Sequence, residues 1–223
     1  MANSTFDLTG KTALVTGGNG GIGLGMAKAL AQSGADICIW GQNEEKNKTA
    51  AEKIAAYGGQ VAAFKCNVSD ENQVEENFAR TVEALGKVDT CFANAGVGSM
   101  GTPFHNMDIS EWRNVFGVNM EGVFFTFRSA IRHMLEREDG GSLVVTSSLS
   151  AKYGMPRGEH YAATKAGVVA IVRGLAVEYA RYRIRANAIL PGWIETDMTA
   201  PLFNIEKFEK NVIPRIPQRR WGI

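Results

Sequence analysis

The stretch Thr12-Ala13-Leu14-Val15-Thr16-Gly17-Gly18-Asn19-Gly20-Gly21-Ile22-Gly23 carries the reading of the whole chain. Five apolar or β-branched residues, 12–16, run straight into a cluster of glycines, and residues 22–33 then take up helical period. A strand that ends in glycines and opens a helix is where an open α/β sheet binds a dinucleotide. Glycines at 17, 21 and 23 permit, in turn, a tight turn, close approach of backbone to a pyrophosphate, and close packing of helix on strand. The start of the helix adds N–H groups with no intrahelical partner, which favour an anion.

The same alternation repeats along the rest of the chain. Strands are expected at 36–40, 61–65, 88–93, 142–147 and 185–190, and helices at 44–57, 70–85, 109–137 and 158–181. Counting 12–16, that makes six clear strands and seven strand-like steps at most. In helix 158–181, Val168, Ile171, Val172, Leu175, Ala176 and Tyr179 form one apolar stripe to lie on a sheet, while Arg181 and Arg183 complement the dipole at its end. Strands and helices in this rhythm imply a Rossmann-type α/β fold, a doubly wound parallel sheet in three layers. All six prolines lie beyond residue 100 and no linker or repeat interrupts the pattern, so residues 1–223 read as a single dinucleotide-binding domain.

Composition narrows the partners. Twenty-four basic against twenty-three acidic residues leave a net charge of +1, which gives no electrostatic case for nucleic acid or a membrane surface. Cys38, Cys66 and Cys91 are odd in number, far apart and set in apolar runs, which indicates buried reduced thiols rather than a disulfide framework or a metal site. Residues 1–11 lack a basic stretch followed by an apolar one, and no apolar run approaches the roughly 18 residues of a membrane span. A cytoplasmic protein acting on a small molecule is expected.

Gly17, three residues, then Gly21-Ile22-Gly23 resembles the TGxxxGIG signature of the short-chain dehydrogenase/reductase family. Asn94-Ala95-Gly96 resembles that family's NAG motif, Asn119 its helix-embedded asparagine, and Pro191-Gly192 its PG turn. The resemblance covers residues 8 to about 222. It implies an NAD(P)-dependent oxidoreductase that transfers a hydride between nicotinamide and a carbonyl or secondary alcohol.

Tyr161 and Lys165 form the only Tyr-x-x-x-Lys in the chain, because Arg157 rather than lysine follows Tyr153 at that spacing. Four apart at a helix start, the two side chains share one face and can reach one ligand. Reducing a ketone needs a proton donor at the carbonyl oxygen, and a phenol of pKa about 10 serves near neutrality only if its anion is stabilised. The resemblance implies that Lys165 lowers the Tyr161 pKa and holds the nicotinamide ribose, that Ser148 bonds the substrate oxygen, and that Asn119 binds a water linking Lys165 to solvent. Ser147 and Ser150 compete with Ser148 in position, and the thirteen-residue spacing to Tyr161 favours Ser148.

For the cofactor, the resemblance assigns Gly17, Asn19, Gly21, Ile22 and Gly23 to the pyrophosphate and Gln42, Asn67 and Val68 to the adenosine end. Asn94, Ala95, Gly96, Pro191 and Gly192 are further cofactor-binding positions beside Tyr161 and Lys165, and Ile194 and Thr196 hold the nicotinamide carboxamide. Gly41 stands where an acid often holds the ribose 2′-OH, and Gln42 where NADP-dependent members often carry arginine. The missing acid removes repulsion of a 2′-phosphate, so NADP(H) is favoured over NAD(H), with Lys46 a distant helper. Asn67 replaces an aspartate beside adenine, and its amide is expected to accept from the adenine amino group.

Substrate-side candidates are Ser99, Met100, His105, Met155, Arg157, Glu159, His160 and Trp193. His160 adjoins Tyr161 but points elsewhere on a helix, which argues against a catalytic histidine. The resemblance points to substrates like those of 3-oxoacyl-carrier-protein reductases or of gluconate and glucose dehydrogenases. It leaves a dinucleotide-sensing protein and an epimerase or dehydratase on the same residues as rivals. It also implies a homotetramer through helices 109–137 and 158–181, where Phe124, Phe125 and Phe127 offer excess apolar surface. Family members continue past Arg220-Trp221-Gly222 by a helix and a last strand, about 30 residues on the scale of a βαβ unit, so these 223 residues are expected to lack that step, either because a tail follows Ile223 or because the chain is shortened.

Overall fold

A computed structural model describes residues 6–98 and 101–223. Six strands form one parallel sheet: β1 (Thr12–Thr16), β2 (Asp36–Gly41), β3 (Val61–Lys65), β4 (Thr90–Ala93), β5 (Gly141–Thr146) and β6 (Ile184–Ile189), ordered β3-β2-β1-β4-β5-β6. Every residue of β1 is buried, as a strand covered by helices on both faces requires. Its side chains alternate between two cores. Leu14 joins Cys38, Trp40, Cys91 and Leu143 beneath α3 (Glu71–Leu85), α5 (Gly122–Arg137) and α6 (Glu159–Glu178). Ala13 and Val15 join Ile37, Ile39 and Ile54 beneath α1 (Gly21–Gln32) and α2 (Glu44–Ala55). The three cysteines are buried and unpaired by disulfide.

The chain winds outward from β1 to β3, then returns to place β4 on the other side of β1. The crevice above the carboxyl ends of β1 and β4 is therefore the switch point at which such sheets bind ligands. Asn43, Asp70 and Asp108 cap α2, α3 and α4 (Ile109–Phe116), each side chain accepting from a backbone N–H of the first turn. Gly20 precedes α1 with no side-chain cap, leaving that helix start open toward the crevice.

Two expected elements differ. Helix 109–137 is broken into α4 and α5 by a π-helical turn, Gly117–Glu121. The wider turn carries fully buried Asn119 inward, and Gly122 follows where any side chain would collide with Val68. Helix 158–181 ends as α6 at Glu178 and continues as a single tight turn, Ala180–Tyr182, closed by Arg183 at φ 61°. No seventh strand is present among the described residues; residues 193–223 hold α7 (Ala200–Phe203), α8 (Glu206–Val212) and an isolated parallel bridge, Ile194 to Gly222.

At the amino ends of the strands, His133 of α5 accepts a hydrogen bond on Nε2 from the Val88 backbone, 3.1 Å away, and Arg137 joins Val88 O to the Asp89 carboxylate. The bond needs neutral imidazole. Burial, reinforced by the nearby Arg137 charge, pushes the His133 pKa below its ordinary value. The unfolded chain therefore takes up a proton first, and stability falls as pH drops below about 6.5. The melting temperature of the native protein is expected to exceed that of His133→Gln by less at pH 5.5 than at pH 7.5; a constant gap would remove His133 as the sensor.

Candidate active site

Close backbone contact at the switch point positions the site. Gly17 and Gly21 adopt φ of +64° and +48°. A Cβ on Gly23 would stand 2.3 Å from Gly17 O, so only hydrogen fits where α1 meets the loop. Thr16 Oγ1 accepts from the backbone N–H groups of Asn94 and Ala95, both at 3.0 Å. The Asn94 amide donates to Thr16 O and Gly17 O and accepts from Thr146 Oγ1 at 3.0 Å, lacing together the carboxyl ends of β1, β4 and β5.

Above this lacing lies a cavity of about 300 Å³. Of the expected residues, Gly17, Asn19, Gly21, Ile22, Asn94, Ala95, Gly96, Ser148, Tyr161, Lys165, Pro191, Gly192, Ile194 and Thr196 line it. Gly23 lies behind the loop, and Asn119 and Val68 are buried beneath it. Gln42 and Asn67 meet each other at 3.3 Å beyond the ends of β2 and β3. Gly20, Lys46, Thr146, Ser147, Asp197, Met198 and Thr199 also line the cavity. Of these, Lys46 was anticipated as a cofactor helper and Ser147 as a rival to Ser148; the motif around 191–196 was the available signal for 197–199, which the Thr199 hydroxyl folds back by bonding Ile194 O at 2.6 Å.

Lys165 is 5 % exposed. Its ammonium donates to Thr146 O at 2.9 Å and stands 5.6 Å from the centre of the Tyr161 ring. Burial pushes its pKa down to about 8. Burial likewise raises the Tyr161 phenol above its ordinary value, and a hydrogen bond with Ser148 opposes the rise without overcoming it. The ammonium lies over the Tyr161 ring and is bonded to Thr146, and burial dominates at the phenol hydroxyl.

The structure separates the three serines. Ser147 is buried with its hydroxyl bonded to Lys165 O at 2.7 Å, and Ser150 Oγ is buried away from the cavity lining. Ser148 faces the cavity, its oxygen accepting from Ser150 N at 3.1 Å. Asn119 uses its amide on the protein: Oδ1 accepts from Val97 N at 2.8 Å, and Nδ2 donates to Val97 O and Thr164 Oγ1. Both amide hydrogens are occupied, so the side chain braces the segment after β4. Gly96 threads between Asn119 Oδ1 and Lys165 Nζ, each 3.3 Å from where its Cβ would lie.

At the adenosine end the side-chain amides bond one another and the backbone. The site that a Gly41 side chain would occupy is filled by amides, 2.2 Å from Asn19 Nδ2 and 2.5 Å from Asn47 Oδ1, which bond each other at 2.6 Å. Asn67 Oδ1 already accepts from Gln42 Nε2, Ser69 N and Ser69 Oγ. Its oxygen thus already has three donors from the protein itself.

On the substrate side, Ser99 and Met100 lie outside the described residues. His105 sits exposed in a short turn, Phe104–Asn106. Arg157 is exposed at φ 61°, its backbone N–H bonded to Glu159 Oε1 at 3.1 Å, and Met155 packs at Gly158. His160 is fully buried on α6, 3.5 Å from Glu111 and stacked toward Trp112, away from the cavity. Trp193 belongs to an aromatic box with Phe203, Phe208 and Trp221 that holds α7 and α8 in place.

The residues fit a dinucleotide: a glycine cradle that side chains would fill, an uncapped helix start above it, and an acid–base pair at the far end of the same cavity. A family profile described as short chain dehydrogenase matches residues 11–207. The 3-oxoacyl-acyl-carrier-protein reductase FabG of Chlamydia pneumoniae is 37 % identical over 195 residues, covering 87 % of this chain and 78 % of that protein. The 5-keto-D-gluconate 5-reductase of Escherichia coli K12 is 34 % identical over 220 residues, covering 99 % and 86 %. A crystal structure of a gluconate 5-dehydrogenase from Burkholderia cenocepacia, in complex with NADP and tartrate, superposes with a TM-score of 0.91 at 33 % identity, covering 97 % of this chain and 84 % of that one.

Gly23→Ala forces its methyl group against Gly17 O and the Asn94 amide. Overpacking of this kind costs about 1–3 kcal/mol. Chemical denaturation should show that loss together with weakened dinucleotide binding; an alanine protein of native stability would refute the close contact.

Proposed function

Because the chain belongs to the short chain dehydrogenase family and is an NAD(P)-dependent oxidoreductase of carbonyl and alcohol groups, we propose that it reduces a small keto acid of the sugar series with NADPH. The observation that carries the catalytic part is the placement of Tyr161, bonded to Ser148 and backed by buried Lys165, in the cavity that the glycine loop floors. The bound dinucleotide supplies the hydride. Tyr161 gives its phenolic proton to the carbonyl oxygen, and Ser148 holds that oxygen by a hydrogen bond. The phenol is protonated at neutral pH, and its donation depends on stabilising the phenolate left behind. Lys165 holds the nicotinamide ribose and its charge stabilises the phenolate left behind. Asn119 is a positioning residue that keeps Val97 and Gly96 against Lys165.

Gly17, Asn19, Gly21, Ile22 and Gly23 cradle the pyrophosphate; Gln42, Asn67 and Val68 receive the adenosine end; Asn94, Ala95, Gly96, Pro191, Gly192, Ile194 and Thr196 border the nicotinamide. NADP(H) is favoured because no acid stands at Gly41 and Lys46 lines the cavity. The substrate class draws on relatives named for keto-gluconate chemistry, including the 2-dehydro-3-deoxy-D-gluconate 5-dehydrogenase of Dickeya dadantii, 34 % identical over 223 residues. A homotetramer through α5 and α6 is supported by half-exposed Phe124 and by Val177, although Phe127 is buried in the chain's own core and Phe125 packs against it. No described helix is long and apolar enough to cross a membrane, and a cytoplasmic setting agrees with three buried free thiols.

Following reduced-nicotinamide absorbance, a 5-keto sugar acid should react with NADPH at least about tenfold faster in kcat/KM than the uncharged ketose, the worth of one hydrogen bond to a charged group. Equal rates would remove the carboxylate from the proposal. Tyr161→Phe should lower kcat by roughly 10²–10⁴ while NADPH binding survives; retained turnover would sink its role. In the reductive direction kcat/KM should fall as pH rises through about 8, where Lys165 loses its proton. Lys165→Arg, permanently charged, should lack that fall, and a limb unchanged in the arginine protein would belong to another group.

A further inference from the structure

Ile194 lines the cavity, and its partner in the isolated parallel bridge is Gly222, beyond α8. Two backbone bonds make the pairing: Gly222 N donates to Trp193 O at 2.9 Å, and Glu195 N donates to Gly222 O at 2.8 Å. The Ile194 carbonyl itself accepts from Thr199 Oγ1 at 2.6 Å. Main-chain groups on both sides of Ile194, and its own carbonyl, are thereby held. A Cβ on Gly222 would stand 2.3 Å from Ile194 Cδ1 and 3.3 Å from Trp193 O, so the isoleucine side chain lies in space that only a glycine leaves free.

The residues preceding the two partners are clamped together as well. The rings of Trp193 and Trp221 lie 6.5 Å apart at 70°, and both meet Phe208 of α8, at 5.0 and 6.1 Å. Trp221 also stacks on Phe203 of α7, 4.0 Å away and within 7° of parallel. Helices of four and seven residues do not persist alone, so α7 and α8 depend on this aromatic box, and the box holds Gly222 against Ile194. Two residues on, Thr196 brings its Cγ2 methyl to 3.1 Å from where a Gly21 Cβ would lie, against the phosphate loop. The segment thus runs from the Gly222 pairing to the glycine loop along one wall of the cavity.

We propose that Gly222 is a positioning residue for the nicotinamide half of the dinucleotide: with Trp221 docked in the aromatic box, it fixes the backbone and rotamer of Ile194 and so the place at which the carboxamide is held. The inference rests on the assignment of Ile194 to the nicotinamide and adds the residue that sets its geometry. A methyl group at position 222 takes the place of Cδ1, the far end of a side chain with other staggered rotamers, so the isoleucine turns before the fold gives way. The pyrophosphate and adenosine positions lie on the loops after β1, β2 and β3, outside the Gly222 pairing.

Calorimetry on the whole protein with NADPH and with 2′-phospho-ADP-ribose, which lacks the nicotinamide, tests this without turnover. Gly222→Ala should weaken NADPH by about tenfold, the cost of one overpacked methyl group, and leave 2′-phospho-ADP-ribose within about a factor of two. Ile194→Val removes Cδ1, so adding it to Gly222→Ala should return NADPH to the affinity of Ile194→Val alone, a rescue that a glycine needed only for folding would not show. Both ligands weakened alike, neither weakened, or no rescue would overturn the proposal. Ile194→Ala tests the underlying assignment: a native ratio of the two affinities there removes Ile194 from the nicotinamide and the proposal with it, whereas a shifted ratio with Gly222→Ala unmoved defeats the proposal alone. Should Gly222→Ala fail to fold, Trp221→Leu loosens the aromatic box without adding an atom beside Ile194. It should weaken NADPH relative to 2′-phospho-ADP-ribose by roughly threefold, and an unchanged ratio is the contrary result.

Discussion

The structure depends on how closely three backbone segments approach at the switch point of the sheet. Gly17 O, the start of α1 and the turn after β4 converge where a single methyl group on Gly23 would not fit. Because carbonyl and amide groups at such a junction cannot all reach water, each needs a partner. Thr16 and Asn94 supply them, one hydroxyl and one amide bonding to backbone on neighbouring strands. The cavity exists because these contacts hold two loops apart above the sheet without side chains between them.

The catalytic end is built on the same plan. Among the described residues Lys165 has no carboxylate partner; its ammonium is bonded to Thr146 O, while Thr146 Oγ1 bonds Asn94. A buried ammonium with one carbonyl acceptor is incompletely solvated, which lowers its pKa toward neutrality and leaves it donors for a ligand. Ser147 ties β5 to the backbone of α6 at the same residue, so the lysine is fixed by its main chain as well as its tip. Phosphate cradle and acid–base pair are thus two ends of one hydrogen-bonded frame.

Much of this was legible in the chain. The strand–glycine–helix junction, the strand order's class and the Tyr161–Lys165 pair depend on spacing and period, which are local properties. Spacing favoured Ser148 over its neighbours, and in the structure the Ser147 hydroxyl is occupied by α6 while the Ser150 oxygen is buried. The break in helix 109–137 was not legible, because no proline or glycine pair marks a π turn; Asn119 is drawn inward by Val97 and Thr164, residues 22 and 45 positions away.

What the sequence determined by itself was therefore the fold class, the crevice and the types of residue gathered there. Tertiary structure alone decided the state and direction of each polar group: that Gln42 and Ser69 occupy the Asn67 oxygen, that amides of the glycine loop and of α2 fill the space beside Gly41, that burial raises the Tyr161 phenol, and that Asp197 meets Lys46. The physical reason is common to all four. A motif encodes which atoms a residue carries, whereas hydrogen-bond partners and desolvation are set by groups distant in the chain and brought close only by folding.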